Sequence, residues 1–551
     1  MRTIRHYGDR PQLIFQMNIK YYDGTEKQIV SNTSWKTSES PIMANSIYDG
    51  EIYDARREKH GWDLAGYNDK NWTNAVKINV PKDRILSPQP DVTPIGKFSC
   101  SNPLFNKIHH NILWGQVSNL FSMPTDCPQR DERMGWMADA DLSAEEAIHN
   151  FDMAAFYTNW LREIQDDQNQ DGSVPDLVPY HKWSKVGTPS WQAAYPIIIW
   201  YMHKYYDDVR ILEEHYNSLK KWMNYMSSIS NKHIITKGKG DWVPPQRGGP
   251  PDDGSIPITS TGYYYKSAEI MASIAGILDK EKESVMYNGL ADSIKSAFNK
   301  RFWNSSTKFY GTGSQTSDAF SLYAGLVPKD NQHDVVNNLV DNIMLKNKGH
   351  LWTGILGTKA LIEILPEYNK TNILNIIANK KTYPGWGYMI SQGATTLWER
   401  WGSFRYFNAG MNSLNHIMFG CADKFFYKNI AGIKIKEPAF KKILIKPYIS
   451  SDLKFAKSSI NTIRDLVSSN WKKEGNSFLF DVTILANSKA EIDIPVANLS
   501  VPLILKENGI IIFEDGIFKN SDPGIIAAKE NGKFIVVNTG SGSYKFELSN
   551  Q

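Results

Sequence analysis

The fourteen residues from Asp126 to Asp139 concentrate side chains that can do acid–base chemistry. They include four carboxylates, two arginines and a tryptophan. Pro128 and Gly135 argue against a regular helix through the first half of this stretch. A charged cluster interrupted by proline, glycine and tryptophan is a poor solvated helix face. We therefore interpret it as the floor of a polar pocket with one aromatic wall.

A second carboxylate lies in an aromatic setting near residue 400, where Glu399 stands between Trp398 and Arg400 with Trp401 beyond. Alone, such a run is more often a structural ion pair than a catalytic base. Combined with the first cluster, it supplies two carboxyl groups with aromatic walls, as glycoside hydrolysis requires. One carboxyl group donates a proton to the leaving oxygen, and the other activates water or attacks the sugar.

The elements that must position these groups are helical, because apolar residues recur at a helical period from about residue 104 to 420. Twelve such segments would form six hairpins, an (α/α)6 barrel, which would bring its first and last hairpins together. An irregular helical array is the alternative. The predicted segments are 104–121, 144–165, 191–206, 209–229, 263–279, 283–301, 316–326, 331–346, 354–365, 370–380, 391–401 and 410–420.

β-structure is predicted on both sides of the helices. Alternating residues from Leu13 to Tyr21 precede a turn at Asp23-Gly24, a second turn is predicted at 48–51, and 81–94 is a proline-rich linker. Alternation returns after residue 431, as in Phe478, Phe480, Val482 and Ile484. The predicted fold is thus multidomain and mainly α. It has an N-terminal β-sandwich-like domain (1–95), an (α/α)6 barrel (96–430) and a C-terminal β-sandwich (431–551).

Composition narrows the class of protein further. No segment has eighteen consecutive apolar residues, which excludes a membrane-spanning helix. The net charge of +4, without a long basic run, argues against nucleic acid as the main partner. The N-terminus lacks the apolar core of a signal peptide. We therefore expect a cytoplasmic protein as the chain is given, or a periplasmic or secreted one if a leader was removed.

Cysteine and tryptophan usage bear on ligands. Cys100, Cys127 and Cys421 lack paired spacing, so we expect neither a disulfide framework nor a zinc site, and no metal or cofactor is predicted. Seventeen tryptophans and 12% aromatic residues suit a carbohydrate ligand, since a ring face covers C–H groups while its edge forms hydrogen bonds. The alternative is that many of these tryptophans fill a large helical core.

Several motifs give the sequence a family resemblance. Asp126–Trp136 is followed by Asp171–Pro175, Gly240–Trp242, the Trp398-Glu399 pair and Asn412–His416. Together these motifs resemble the inverting bacterial α-L-rhamnosidases, which have an (α/α)6 barrel between β-sandwich domains. The likeness covers nearly the whole chain. It implies an exo-acting glycosidase that removes terminal α-L-rhamnose from oligosaccharides or glycosides.

The resemblance also implies a role for each matching residue. Glu132 would be the general acid and Glu399 the general base, with the two carboxyl groups roughly 6.5–9.5 Å apart to admit water. The residues expected to bind rhamnose are Asp126, Arg130 and Asp139 for its hydroxyls, Trp136, Trp191 and Trp242 as pocket walls, and His416 as a hydrogen-bonding group. Without the resemblance, His416 would be a half-buried histidine on a predicted helix.

Two departures from the family pattern leave alternatives open. Ala138 stands where many members have glycine, and compared with the family pattern we expect an abbreviated or truncated N-terminal domain. One alternative is an inverting (α/α)6 hydrolase for another α-linked sugar, with Ala138 and the loop 244–260 reshaping the pocket. Another is a carbohydrate-binding protein without turnover, although the presence of both Glu132 and Glu399 argues against that loss. The sequence does not indicate an oligomeric state.

Overall fold

A computed structural model describes residues 13–46, 50–78, 92–129, 132–181, 185–245, 254–402, 413–496, 502–519 and 523–550. The chain divides into two compact units, Met1–Pro88 and Gln89–Gln551. The predicted turn at 48–51 and the linker at 81–94 lie largely outside the described residues.

The first unit contains short antiparallel strand pairs. Gln16–Lys20 (β1) pairs with Glu26–Val30 (β2) across the Asp23-Gly24 turn, as the alternation predicts. Asp23 accepts hydrogen bonds from the backbone N–H and hydroxyl of Thr25, which fixes the turn. The other strands of this unit are Lys36–Thr37 (β3), Ile42–Ser46 (β4), Gly50–Tyr53 (β5) and Thr73–Asn74 (β6).

The second unit has a helical core. Its helices are α1 Pro103–Val117, α2 Met137–Asn150, α3 Ala154–Asp166, α4 Pro189–Gln192, α5 Ala194–Tyr206, α6 Val209–Ile229, α7 Ser255–Ile277, α8 Glu281–Phe302, α9 Gln315–Tyr323, α10 Lys329–Asp341, α11 Ile355–Glu367, α12 Thr371–Asn379, α13 Trp386–Ser391 and α14 Asp423–Phe425. Shorter helical turns at Met418–Ala422 and Phe426–Ile430 flank α14, so 418–430 is nearly continuous. No helix in the described part of the chain is long and apolar enough to cross a membrane.

Contacts between the buried helices close a ring. α2 packs on α5, α5 on α7, α7 on α9 and α9 on α11, and both α11 and α2 pack on the helical segment 418–430. α2 is buried along its whole length, whereas α8 and α10 bury a few positions each and expose the rest. Helices of this more exposed kind alternate with the ring members along the chain. Successive ring members are therefore separated along the chain by helices outside the ring.

One predicted helix, 144–165, is wrong, because α2 ends at Asn150 and α3 begins at Ala154. Between them Phe151 is extended and pairs with Pro94, and the Asp152 N–H donates to the carbonyl of Thr93. Both helices bury a face in the same core. The helical spacing of apolar residues therefore continues through the break, and the sequence pattern does not reveal it.

The predicted helices 391–401 and 410–420 are also wrong over most of the residues that the structure describes in them. α13 ends at Ser391, and residues 395–402 and 413–417 are not helical. These two loops bind each other instead, because the Glu399 N–H donates to Ser413 O (3.0 Å) and the His416 N–H to Leu397 O (2.9 Å). His416 therefore lies in a loop, not on a helix.

The predicted loop 244–260 is shorter than expected. α7 begins at Ser255, eight residues before the predicted start at 263, so the end of the supposed loop is buried helix. Residues 246–253 lie outside the described part of the chain.

The C-terminal part forms one eight-stranded and one five-stranded sheet with strands where the alternation predicts them. Strand Gly96–Cys100 (β7), although ahead of the helices, pairs antiparallel with β14 at the edge of the larger sheet. The remaining strands are β8 Leu120–Phe121, β9 Met123–Pro124, β10 Trp303–Asn304, β11 Phe309–Tyr310, β12 Ile433–Glu437, β13 Lys442–Ile445, β14 Phe455–Thr462, β15 Asp465–Glu474, β16 Ser477–Ile484, β17 Lys489–Pro495, β18 Leu503–Glu507, β19 Ile510–Glu514, β20 Ile517–Phe518, β21 Ile525–Asn531, β22 Phe534–Thr539 and β23 Gly542–Asn550.

Candidate active site

The Asp126–Asp139 stretch forms a closed loop that leads into α2. The Asp126 N–H donates to Met134 O (2.9 Å), and the Met134 N–H donates back to Asp126 Oδ1 (2.8 Å). Gly135 lies so close to Val178 that a Cβ would collide with the Val178 carbonyl oxygen, which explains the glycine. Arg130, one of the predicted sugar-binding residues, lies outside the described residues.

Glu132 is held against an aromatic wall. The indole Nε1–H of Trp136 donates to Glu132 Oε1 at 2.7 Å, and both side chains are half-buried. The hydrogen bond fixes one carboxyl oxygen, and partial exposure leaves room for a substrate oxygen nearby.

His416 lies between two buried aspartates. Its Nε2 is 3.4 Å from Asp139 Oδ1 and 3.8 Å from Asp126 Oδ2. Burial by itself would lower the pKa of His416. The hydrogen bond to Asp139 and the negative charges of Asp126 and Glu399 outweigh burial, and the pKa is raised above its usual value. The protonated form of His416, in which both ring nitrogens donate, is therefore favoured more than in an ordinary histidine.

Asp126 is an unusual carboxyl group because it is fully buried. Burial raises its pKa to about 6, opposed by the nearby His416 and Cys127 and reinforced by the negative charges of Glu132 and Asp139. At pH 7 it is still mostly ionised and can accept hydrogen bonds.

Glu399 provides the second carboxyl group of the site. It is 6% exposed, and its Oε2 accepts the Ser413 N–H at 2.8 Å. Gln129 donates from Nε2 to Ser413 Oγ at 2.9 Å. The loop that carries Glu132 is thus tied directly to the loop that fixes Glu399 and carries His416.

The predicted pocket walls are placed by other helices. Trp136 precedes α2, and Trp191 lies buried in α4. The ammonium of Lys239 is 4.4 Å from the Trp136 ring centroid and 4.8 Å from that of Trp191, so both rings flank one cation. Trp242 is half-buried, and its carbonyl accepts the N–H of Ile355 (2.9 Å) at the start of α11.

Lys239 and Asp176 join the site although the sequence analysis did not select them. Lys239 Nζ lies 2.7 Å from Asp176 Oδ2, and Asp176 is 1% exposed. The sequence offered one indication of both residues, because each lies next to a motif that resembles the family. Asp176 follows Pro175, and Lys239 stands between glycines just before Asp241-Trp242.

Among the residues that the structure describes, one group of side chains has the spacing to hold a metal ion. Ligand atoms of Asp126, Cys127 and His416 lie within 4.8 Å of one another, and all three residues are buried. Sequence spacing could not indicate this group, since Cys127 and His416 are distant along the chain. Asp126 and His416 are also predicted sugar ligands, so we interpret the group as part of a sugar site.

Ala138 is fully buried within α2 and belongs to its apolar core. Its methyl group is thus packed among other side chains immediately before Asp139.

The geometry as a whole unites most of the predicted residues. Hydrogen bonds, ion contacts and charge interactions connect Asp126, Glu132, Trp136, Asp139, Glu399 and His416, and Lys239 connects Trp136 to Trp191. A half-buried carboxyl group beside an indole, together with a buried carboxyl group held by a backbone N–H, suits acid and base catalysis of glycosidic-bond cleavage. The ring of helices and this site are typical of glycoside hydrolases.

Comparisons with known proteins agree with that class. Residues 93–430 match the bacterial alpha-L-rhamnosidase 6 hairpin glycosidase domain. Residues 2–96 match the alpha-L-rhamnosidase N-terminal domain, and residues 432–501 match the bacterial alpha-L-rhamnosidase C-terminal domain. The chain belongs to the bacterial α-L-rhamnosidase family of glycoside hydrolases.

Individual relatives support the assignment. An alpha-L-rhamnosidase from Formosa agariphila is 27% identical over 627 aligned positions, covering 91% of this chain and 68% of the relative. The structure of an alpha-L-rhamnosidase from Dictyoglumus thermophilum is 37% identical with a TM-score of 0.87, covering 98% of this chain and 74% of that one. A Streptomyces avermitilis alpha-L-rhamnosidase complexed with L-rhamnose shares the fold, with 24% identity and a TM-score of 0.84, covering 98% and 62% of the two chains.

Proposed function

We propose that this protein is an inverting exo-α-L-rhamnosidase that hydrolyses terminal α-L-rhamnose from oligosaccharides or glycosides. The main observation in favour of the proposal is that the loop carrying Glu132 contacts the loop that carries His416 and binds Glu399. His416 lies between Asp126 and Asp139, and Gln129 binds Ser413, which also holds Glu399. The relatives described above are named α-L-rhamnosidases, which supports the choice of sugar.

In the same proposal, the ring of helices is an (α/α)6 barrel spanning 96–430, between β domains at 1–95 and 431–551. The six ring segments, their alternation with more exposed helices and the six-hairpin family match support this architecture. In such a barrel the inner helices run in one direction, so the residues at their N-terminal ends would lie at the same end of the barrel. Trp136 precedes α2, Trp191 precedes α5, Trp242 precedes α7 and His416 precedes 418–430.

The proposed reaction uses two carboxyl groups in different roles. Glu132 donates its proton to the glycosidic oxygen as the C1–O bond breaks. Glu399 takes a proton from water as the water oxygen bonds to C1 from the opposite face, which inverts the anomeric configuration. The proton lost by Glu132 is thus balanced by the one that Glu399 gains.

The surrounding residues hold the sugar. Asp126 and Asp139 accept hydrogen bonds from rhamnose hydroxyls, Arg130 and His416 donate to them, and the pocket needs no metal or cofactor. The tryptophans Trp136, Trp191 and Trp242 cover apolar faces of the ring and the C5 methyl group, which gains contact that a hydroxymethyl group would not.

The test is hydrolysis of p-nitrophenyl α-L-rhamnoside compared with a panel of other p-nitrophenyl glycosides. We expect release of p-nitrophenol from the rhamnoside, with proton NMR showing β-L-rhamnose as the first product. Activity on a different sugar alone would favour another (α/α)6 hydrolase, and binding of rhamnose without turnover would favour a carbohydrate-binding protein. α-L-Rhamnose as the first product would contradict inversion.

A further inference from the structure

We propose that Lys239 is a positioning residue that holds the Trp136 indole and, through it, orients the general acid Glu132. This inference rests on the proposed function, because it concerns how that acid delivers its proton. In this proposal Lys239 itself transfers no proton. It acts through Trp136.

The backbone that carries Lys239 is rigidly anchored. Asp241, two residues further on, accepts the N–H groups of Gly354 (2.7 Å), Leu356 (2.9 Å) and Gly357 (3.0 Å) at the start of α11. Gly240 between them has φ of +66°, a conformation that glycine adopts without strain. The chain therefore turns sharply at a fixed point, and Lys239 starts from a defined position.

The ammonium itself is fixed by a buried carboxylate. Lys239 Nζ lies 2.7 Å from Asp176 Oδ2, while Asp176 Oδ1 accepts the backbone N–H of Thr188 at 2.6 Å. The Asp176 carboxylate is 1% exposed and hydrogen-bonded to the backbone, so its position is fixed. Because separating a buried ion pair is costly, the Lys239 ammonium stays beside it.

From that position the cation lies against both tryptophans, 4.4 Å from the Trp136 centroid and 4.8 Å from the Trp191 centroid. These distances are within the range of cation–π attraction. Asp176 also holds the backbone beside Trp136, because its carbonyl accepts the Met137 N–H at 2.9 Å. Trp136 is thus held at its backbone and at its ring face by one aspartate–lysine pair.

The consequence reaches the acid through one hydrogen bond. Trp136 Nε1–H donates to Glu132 Oε1 at 2.7 Å, and this favours the arrangement in which Oε1 is the carbonyl oxygen of the acid and Oε2 is the oxygen that donates to the substrate. A cation on the ring face draws electron density from the indole and makes its N–H a better donor. Loss of the cation loosens the ring and with it the direction of the Oε2 proton.

The experiment compares two rhamnosides that differ in leaving group, methyl and 2,4-dinitrophenyl α-L-rhamnoside, in the full-length protein. Lys239→Met keeps the aliphatic stem and removes the charge. We expect kcat/KM for the methyl rhamnoside to fall about tenfold or more, since departure of methoxide needs the proton. The dinitrophenyl substrate, which needs little protonation, should change less than about threefold, and competitive inhibition by L-rhamnose, which is proposed to contact the same tryptophans, should weaken by no more than that.

Two further variants make the result specific. Lys237→Met removes an equal charge from an exposed side chain two residues away and should leave both substrates unaffected. Lys239→Arg restores the cation and should recover much of the methyl rhamnoside activity.

Equal losses on both substrates with weaker rhamnose inhibition would show that Lys239 only supports the pocket wall, and would overturn the inference. Unchanged activity of Lys239→Met on both would also overturn it. If the unmodified protein hydrolyses neither rhamnoside, the proposed function itself has failed, which is a distinct result.

Discussion

At the scale of single residues, the protein treats its two candidate catalytic carboxyl groups differently. Glu132 is half-buried beside an indole N–H, while Glu399 is buried and accepts a backbone N–H. Different environments are the usual way in which two chemically similar carboxyl groups take the roles of acid and base.

Substituting each carboxyl group by its amide should separate these roles. Glu399→Gln removes the base, and we expect turnover of every rhamnoside to fall by roughly 10³-fold or more while rhamnose still binds. Glu132→Gln should cost roughly 10²-fold with alkyl rhamnosides and much less with activated aryl ones. Steady-state kinetics on both substrate types checks this, and full activity of Glu399→Gln would refute its role.

Asp126 illustrates a conflict between stability and function. Burial raises its pKa from 3.8 to about 6, so between about pH 4 and 6 the folded protein binds more protons than the unfolded chain. Its contribution to stability is therefore fully present below pH 4 and is lost as pH rises through 6.

The amide Asp126→Asn should remove that pH dependence. At pH 8 we expect its free energy of unfolding to exceed that of the unmodified protein by about 2–3 kcal/mol, with the difference vanishing near pH 4. Urea denaturation at the two pH values measures it, and rhamnosidase activity should be lost. Asp292→Asn, an exposed position on α8, is the control and should change stability little at either pH. A destabilised Asp126→Asn at pH 8 would contradict the expectation.

At the scale of elements, the N-terminus of α11 depends on a carboxylate from another part of the chain. Asp241 is 1% exposed, accepts three N–H groups there and also binds the Thr316 hydroxyl. A Cβ at Gly354 would collide with the Trp242 carbonyl, so the close approach also requires glycine. The N–H groups at the start of α11 are thus capped by a side chain from a distant part of the chain and not by the residue that precedes the helix.

Asp241→Asn should therefore destabilise more than an ordinary cap substitution. An amide nitrogen cannot accept the N–H groups that one carboxylate oxygen now receives, and we expect a loss of about 2–4 kcal/mol in the free energy of unfolding. Asp208→Asn at the N-cap of α6, where the side chain accepts the Arg210 N–H on a more exposed helix, should cost less than about 1 kcal/mol. Equal effects in the two variants would show that Asp241 is an ordinary cap.

The elements also show where sequence patterns succeed. The predicted segment 209–229 coincides with α6, because its apolar residues recur at a helical period and Asp208 caps its N-terminus. The segment 144–165 failed, since the break at Phe151 is stabilised by Pro94 and Thr93 rather than by local signals. The apolar neighbours of His416 have helical spacing and predict a helix, but Leu397, in the loop that carries Glu399, accepts the backbone N–H of His416 instead.

At the scale of the whole molecule, the helical core and the C-terminal sheets are joined. β7, which precedes α1, is an edge strand of the eight-stranded sheet, and Trp471 donates from its indole to the Ile430 carbonyl at 2.9 Å. Residues 89–551 form one compact unit.

Truncation should reveal this joint folding. We expect a chain of residues 89–551 to unfold in a single transition by circular dichroism and calorimetry. A chain ending at residue 430 should fail to give a cooperative transition, because β7 and the end of the helical segment 418–430 lose their partners. A stable, cooperative product ending at 430 would contradict the expectation.

The sequence by itself determined the family, the alternation of helices and strands, and the residue types at the candidate site. These follow from local periodicity and from short motifs, which are properties of neighbouring residues. Only the tertiary structure decided that His416 lies between Asp126 and Asp139, that Trp136 holds Glu132, and that Lys239 lies against two tryptophans. Each of these contacts depends on how the helical ring closes and on where loops bind each other. The spacing of residues along the chain does not indicate how the ring closes or which loops contact each other.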